Sequence, residues 1–304
     1  MKFIGKVICF SLVLVGLSAC SDSSQQADPD FTPKNTRNSF WKIKSPIVFV
    51  DEAHNNLHTK NDRFEPFAQV LTSDGYTVKR SKEKFTLDYL QQADILVIAN
   101  ALEQNRTDYT PPFDDAFSLE EVAAVKQWVS QGGALFFIAD HTPYPKISEK
   151  LWTAFGFEFI NGHVYYATFR TDNNSLVAHS ITQGNTDSER ITQVKSMGGA
   201  AFKIPHNAKP LLMLGKNAIA DVPVLPFQVN AKTPKISMDG WYQGAVLEVG
   251  KGRIAVFAET AMFTSQVDLT TGRKLGFVSN GAEENEQFLL RIPSNRRDYN
   301  TAFL

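Results

Sequence analysis

From Ser45 onward, short apolar runs rich in Val and Ile alternate with longer stretches whose apolar residues recur at helical spacing. This is the pattern of successive βα units and a parallel sheet. It predicts strands at Pro46–Val50, Tyr76–Arg80, Ile95–Asn100 and Ala134–Ala139. Helices are predicted at Arg63–Ser73 (with Phe64, Phe67, Ala68 and Leu71 on one face), around Leu87–Gln91, from Ser118 to Gln131, and at Ile147–Phe155. Ser118, with Glu121 three residues on, has the form of a capping box, and Gly132-Gly133 ends that helix. From Phe157 to about Lys235 the periodicity weakens. That stretch reads as an irregular insertion with short strands at Val164–Phe169 and Leu211–Leu214 and loops between. The runs Gly244–Val249 and Arg253–Ala258 then flank Gly250-Lys251-Gly252 as a hairpin, and a last helix is predicted over Asn280–Arg291. The expected fold is α/β: an open, mostly parallel sheet flanked by helices, with a late β-hairpin and a C-terminal helix, in one domain over residues 45–304.

The segment before this domain has a different character. Lys2 and Lys6 precede an apolar run from Val7 to Leu17 and then small residues, the form of a secretory signal. As a helix such a run spans roughly 16 Å, well short of a ~30 Å hydrocarbon core. Leu17-Ser18-Ala19-Cys20 resembles the bacterial lipobox, which implies removal of residues 1–19 and a lipid on Cys20; the alternative is a plain signal peptide. Ser21 in place of Asp points to the outer membrane, periplasmic face. Residues 20–44, rich in Ser, Gln, Asp, Asn and Pro, are expected to be a lipidated flexible tether.

Composition narrows the chemistry. Of 304 residues 43% are hydrophobic and 21% charged, with 31 basic against 32 acidic side chains, which leaves no basic footprint for nucleic acid. The two cysteines, Cys9 and Cys20, both precede the domain, so a cysteine nucleophile or thiolate metal site inside it is excluded. The string Gly250-Lys251-Gly252-Arg253-Ile254-Ala255 imitates a dinucleotide fingerprint, but a strand rather than a helix follows, so no nucleotide cofactor is expected. Neither a phosphate-binding P-loop nor a G-x-S-x-G elbow is present.

The candidate chemistry lies where the strands end. Asp51-Glu52-Ala53-His54-Asn55-Asn56-Leu57-His58 follows the first strand, Asn100 ends the third, Asp140-His141 the fourth, and Glu259 the late one. In a parallel sheet these ends share one edge, outside which ligands bind. Asp51, His54, His141 and Glu259 are the candidate catalytic residues; Glu52, Asn55, Asn56, His58, Asn100 and Asp140 are candidate ligand contacts. Three readings stay open: a divalent-metal site with a water nucleophile, a metal-free site with His54 or His141 as general base, and loop ties or helix caps made by the short polar side chains. His163, His179 and His206 are expected in surface or turn roles. Trp241-Tyr242 and Tyr165-Tyr166 are either packing residues or the walls of a glycan-binding groove.

The strand ending in DEAHNN, the unit VKQWVSQGGALFFIAD, the segment AHSITQG, the hairpin GKGRIAVFAE and the helix GAEENEQFLL together resemble uncharacterised bacterial domains of the class I glutamine amidotransferase-like, flavodoxin-like superfamily. The resemblance runs from about Pro46 to Arg291. True amidotransferases carry a cysteine on a strand-to-helix elbow, and this domain has none, so glutaminase activity is not implied. The expectation is an envelope lipoprotein that acts on a small or glycan-derived molecule by hydrolysis, or a non-enzymatic binding or assembly module.

Overall fold

The computed structural model describes residues 24–294 apart from 37, 41–44, 107 and 185. The signal segment 1–19 and Cys20 lie outside the described residues. In chain order the elements are β1 (Gln25–Ala27), β2 (Ile47–Asp51), α1 (Glu65–Ser73), β3 (Thr77–Ser81), α2 (Leu87–Leu90), β4 (Ile95–Ala99), α3 (Leu119–Ser130) and β5 (Ala134–Ile138). There follow α4 (Tyr144–Ile147), α5 (Glu149–Ala154), β6 (Glu158–Phe159), β7 (His163–Val164), β8 (Ala167–Arg170), α6 (Ser180–Gln183), β9 (Gln193–Ser196) and β10 (Phe202–Lys203). The last are β11 (Lys209–Met213), β12 (Ile219–Asp221), β13 (Lys235–Ser237), β14 (Tyr242–Val249), β15 (Gly252–Phe257), β16 (Ser265–Asp268), β17 (Lys274–Gly276) and α7 (Asn285–Ser294).

Nine strands form the main sheet, in the order β3-β2-β4-β5-β15-β14-β10-β6 with β11 also on β14. The first five run parallel, and β14, β10, β6 and β11 add antiparallel pairs. The sheet is therefore mixed rather than mostly parallel. The late hairpin turns the chain back beside β15 instead of crossing over it, and the stretch expected to be irregular supplies further antiparallel strands. The expected helix at 147–155 is two short helices meeting at Ser148.

Successive side chains of a strand face opposite sides, and here both sides are covered. Val48, Val50, Val97, Phe136 and Ile138 enter one core with Phe67 of α1 and Phe288 of α7. Phe49, Leu96, Ile98, Leu135 and Phe137 enter a second core with Val122, Val125 and Trp128 of α3. The capping box on α3 is present: Ser118 accepts the N–H of Glu121, whose carboxylate accepts the N–H of Ser118.

Part of the expected tether is structured. Residues 25–27 pair with Gln266–Asp268 of β16 as the edge of a three-stranded sheet, and buried Asp28 pairs with Lys274. Strand addition uses backbone N–H and C=O groups, so a stretch with little apolar content can still dock. No described helix is long and apolar enough to cross a membrane.

Candidate functional site

The ends of β2, β4, β5 and β15 share one edge, as expected, but the polar residues there divide into two groups with different surroundings. The first is closed. Asp51 is fully buried and accepts the N–H of Ala53 at 3.0 Å, His54 Nδ1 at 2.9 Å and Asn56 Nδ2 at 2.6 Å. On its other side His54 Nε2 lies 2.8 Å from Glu121 Oε1. Its ring sits between Phe85 and Phe117, with centroids 4.5 and 4.6 Å away. Burial disfavours the imidazolium, but the flanking carboxylates of Asp51 and Glu121 outweigh that and raise the His54 pKa. The same loop is stitched to β4 by Ala99 N–H to Asn56 Oδ1, Leu57 N–H to Asn100 O and Leu102 N–H to His54 O. With its ring nitrogens taken and 1% of its surface exposed, His54 has no atom to offer a ligand. Asp51 and Asn56 are likewise assigned to the fold.

This has a topological reason. Counted as they occur in the chain, the parallel strands run 2-1-3-4-5, and in that order the ligand crevice opens between the first and third. Here the loop 52–58 fills that crevice. Of its other members, Glu52 pairs with Arg80 at 2.6 Å, and Asn55 is an exposed turn residue at φ 46°. His58 turns inward against Phe64 at 4.9 Å between centroids, with its ring nitrogens 3.5 Å from Asn100 Nδ2 and 3.1 Å from Gln266 Nε2. Burial, with Arg63 adding to it, pushes the His58 pKa down to about 3, so the ring is neutral.

The second group is partly open. Asn100, at φ 59°, accepts the N–H of Asp140 at 2.8 Å. Asp140 accepts Thr260 Oγ1 at 2.6 Å, the N–H of Thr260 at 3.2 Å and the N–H of His141 at 2.8 Å. Burial works against its charge, but His141 and these hydrogen bonds keep the Asp140 pKa below its ordinary value. Glu259 is buried and accepts the N–H groups of Ala261 and Met262. Burial and the Asp140 carboxylate push its pKa up to about 8. The two buried carboxyls are thus pushed in opposite directions, Asp140 toward its charged form and Glu259 toward its neutral one.

His141 is half-buried. Its Nδ1 lies 2.9 Å from Thr142 O and donates to that carbonyl. Around it stand Phe227 at 4.9 Å, His163 at 5.4 Å and Tyr144 at 5.7 Å between ring centroids. His163 in turn meets Tyr165 at 4.9 Å, and the Tyr165 hydroxyl donates to buried Asp221, which pairs with Lys235. Phe227 carries φ 64°, a left-handed backbone unusual for a bulky side chain.

His163, expected in a surface or turn role, thus joins His141. The sequence signal for it was the Gly198-Gly199 pair: Val164 N–H donates to Gly199 O at 2.7 Å, and a Cβ on Gly199 (φ 99°) would fall 2.1 Å from Ala258 O. Only glycine lets this crossing lie so close to the end of β15. His179 caps α6 and His206 lies in an exposed turn, as expected. Trp241 packs under the Lys203 ammonium, 4.8 Å from the ring centroid, rather than lining a groove. Among the described residues no three His, Cys, Asp or Glu side chains are grouped to hold a metal ion, so the metal reading gains no ligand set.

No family model matches the chain, and no curated protein matches it. Among solved structures it is similar to the mmIFT52 N-terminal domain, with a TM-score of 0.51 at 13% identity over 72% of this chain and 88% of that one. A ThuA-like protein from Bacteroides uniformis ATCC 8492 gives 0.43 at 12% identity, over 82% and 91% of the two chains. A GMP synthase protein from Thermoplasma acidophilum gives 0.42 at 8% identity, over 82% and 92%. At these identities the likeness is one of fold alone.

Proposed function

We propose that this chain is an envelope lipoprotein, anchored by a lipid on Cys20 at the periplasmic face of the outer membrane, whose domain binds a small polar ligand beside His141 and His163. The 2-1-3-4-5 order of the parallel strands supports a flavodoxin-like, glutamine amidotransferase-like core to which antiparallel strands have been added. One observation carries the ligand reading. At the edge where such sheets bind ligands, two half-buried imidazoles stand 5.4 Å apart under the exposed aromatic rings of Phe227 and Tyr165, and the buried carboxylate of Asp140 holds the backbone N–H of His141. Rings over polar groups suit a glycan-derived molecule, whose faces stack while its hydroxyls hydrogen-bond. A hydrolytic role is favoured by a separate detail: His141, its Nδ1 tied to a carbonyl, presents Nε2 as a general base for water.

Titration calorimetry with a panel of short glycans is expected to show heat with the wild type, and a loss of at least about tenfold in affinity, ~1.4 kcal/mol, with His141→Ala or His163→Ala at nearly unchanged melting temperature. Equal binding by all three proteins, or none by the wild type across the panel, would remove the ligand reading. For the anchor, Cys20→Ala is expected to leave the precursor uncleaved and outside the detergent-extracted lipoprotein pool. A fully processed, membrane-retained Cys20→Ala chain would count against lipidation.

A further inference from the structure

The point at which the lipid would leave the chain is close to a particular corner of the domain. Leu269 N–H donates to Ser24 O at 2.9 Å, and Ser24 Oγ approaches Asp268 Oδ2 at 3.4 Å, so the turn between β16 and β17 is bound to the fourth residue after Cys20. Four residues of extended chain reach at most about 14 Å. The anchor therefore cannot swing the domain freely, because β1 begins at Gln25 and is held in register on β16.

The surface at this corner suits a bilayer. Leu269 is 61% exposed. Arg273 lies over the ring of Tyr166, 5.2 Å from its centroid, and bonds to its hydroxyl. Tyr166 is itself 48% exposed. An apolar tip beside a tyrosine and a guanidinium is the combination that settles at headgroup level, the ring and leucine toward the acyl boundary and the guanidinium among the headgroups. Neighbouring Lys274 is engaged with Asp28 and Asp30, and Asp268 at the head of the turn accepts the N–H groups of Thr270 and Thr271, so the corner has no excess of positive charge and the contact rests on Leu269 and Tyr166, with Arg273 beside them.

We infer that the turn 269–273, with Tyr166 beside it, is the face that this domain lays on the lipid bilayer. The inference rests on the reading that Cys20 is lipidated.

The test uses the full chain, purified from envelopes and reconstituted in vesicles of phosphatidylethanolamine and phosphatidylglycerol carrying spin-labelled acyl chains. Apart from Cys20 the processed chain has no cysteine, so Leu269→Cys and, on the exposed side of α3, Lys126→Cys each take one NBD fluorophore. Several-fold stronger quenching at 269 than at 126 is expected. Mass spectrometry of the same preparation reads acylation of Cys20 separately. Acylated Cys20 with equal, weak quenching at both positions would overturn the orientation alone, whereas a chain without acyl groups would overturn the anchor reading and the orientation with it.

Discussion

Replacing His54 by alanine is expected to cost roughly 3–5 kcal/mol of stability, because it leaves the buried carboxylates of Asp51 and Glu121 facing a void instead of an imidazole. A urea titration read by circular dichroism measures it. A triple variant, His54→Leu with Asp51→Asn and Glu121→Gln, should recover much of the loss, since it removes the charges as well as their partner. An unchanged midpoint for His54→Ala would show that the loop is held by other contacts.

The pH dependence has a definite sign. The His54 pKa is raised in the folded protein, so its contribution is fully present below the unfolded value of about 6.5 and is lost as pH rises through the folded value. Glu121 behaves in the opposite way. Burial alone would raise its pKa, but the N–H of Ser118 and the His54 ring lower it, so its contribution is lost as pH falls through the acid range. The stability gap between wild type and His54→Ala should therefore be widest on the acid side of neutrality, above the carboxylate range, and should narrow in alkali. The raised pKa of Glu259 weakens both proteins alike as pH rises and cancels in that difference.

The second large effect is expected in the sheet. Phe137 lies on β5, which is paired on one side with β4 and on the other with β15. It is 1% exposed and meets Phe159 edge-on with ring centroids 6.1 Å apart. Phe137→Ala should cost about 3–5 kcal/mol, the transfer term plus the cavity left among rings that cannot collapse into it. A change within about 0.5 kcal/mol in the same titration would mean that this face is loosely packed.

The central sheet was legible because its information is local. Val48 to Val50, Ile95 to Ile98 and Leu135 to Ile138 are short, apolar and bounded by turn residues, and Ser118 and Glu121 announce their helix by spacing alone. Of the antiparallel strands, β11 and the β14–β15 hairpin were legible as well, whereas β6, β7 and β10 were not, being two-residue strands too short to show a period. Nor was β1, whose docking is a property of the edge it meets. At the site, the shared strand edge could be inferred from chain order, but not which polar groups would be consumed by the fold. His54 finds its second partner 67 residues away in Glu121, a residue fully accounted for in the sequence as a capping carboxylate.

That one carboxylate has a dynamic consequence. Glu121 holds the N–H of Ser118 at the head of α3, the N–H of Phe85 in the loop after β3, and the ring of His54 in the loop after β2. Three connections that would ordinarily fray one at a time are thereby made a single cooperative unit, whose transient opening must expose two carboxylates together. The backbone amides of Ser118 and Phe85, both held by Glu121, are therefore expected to exchange with solvent together, at one common rate.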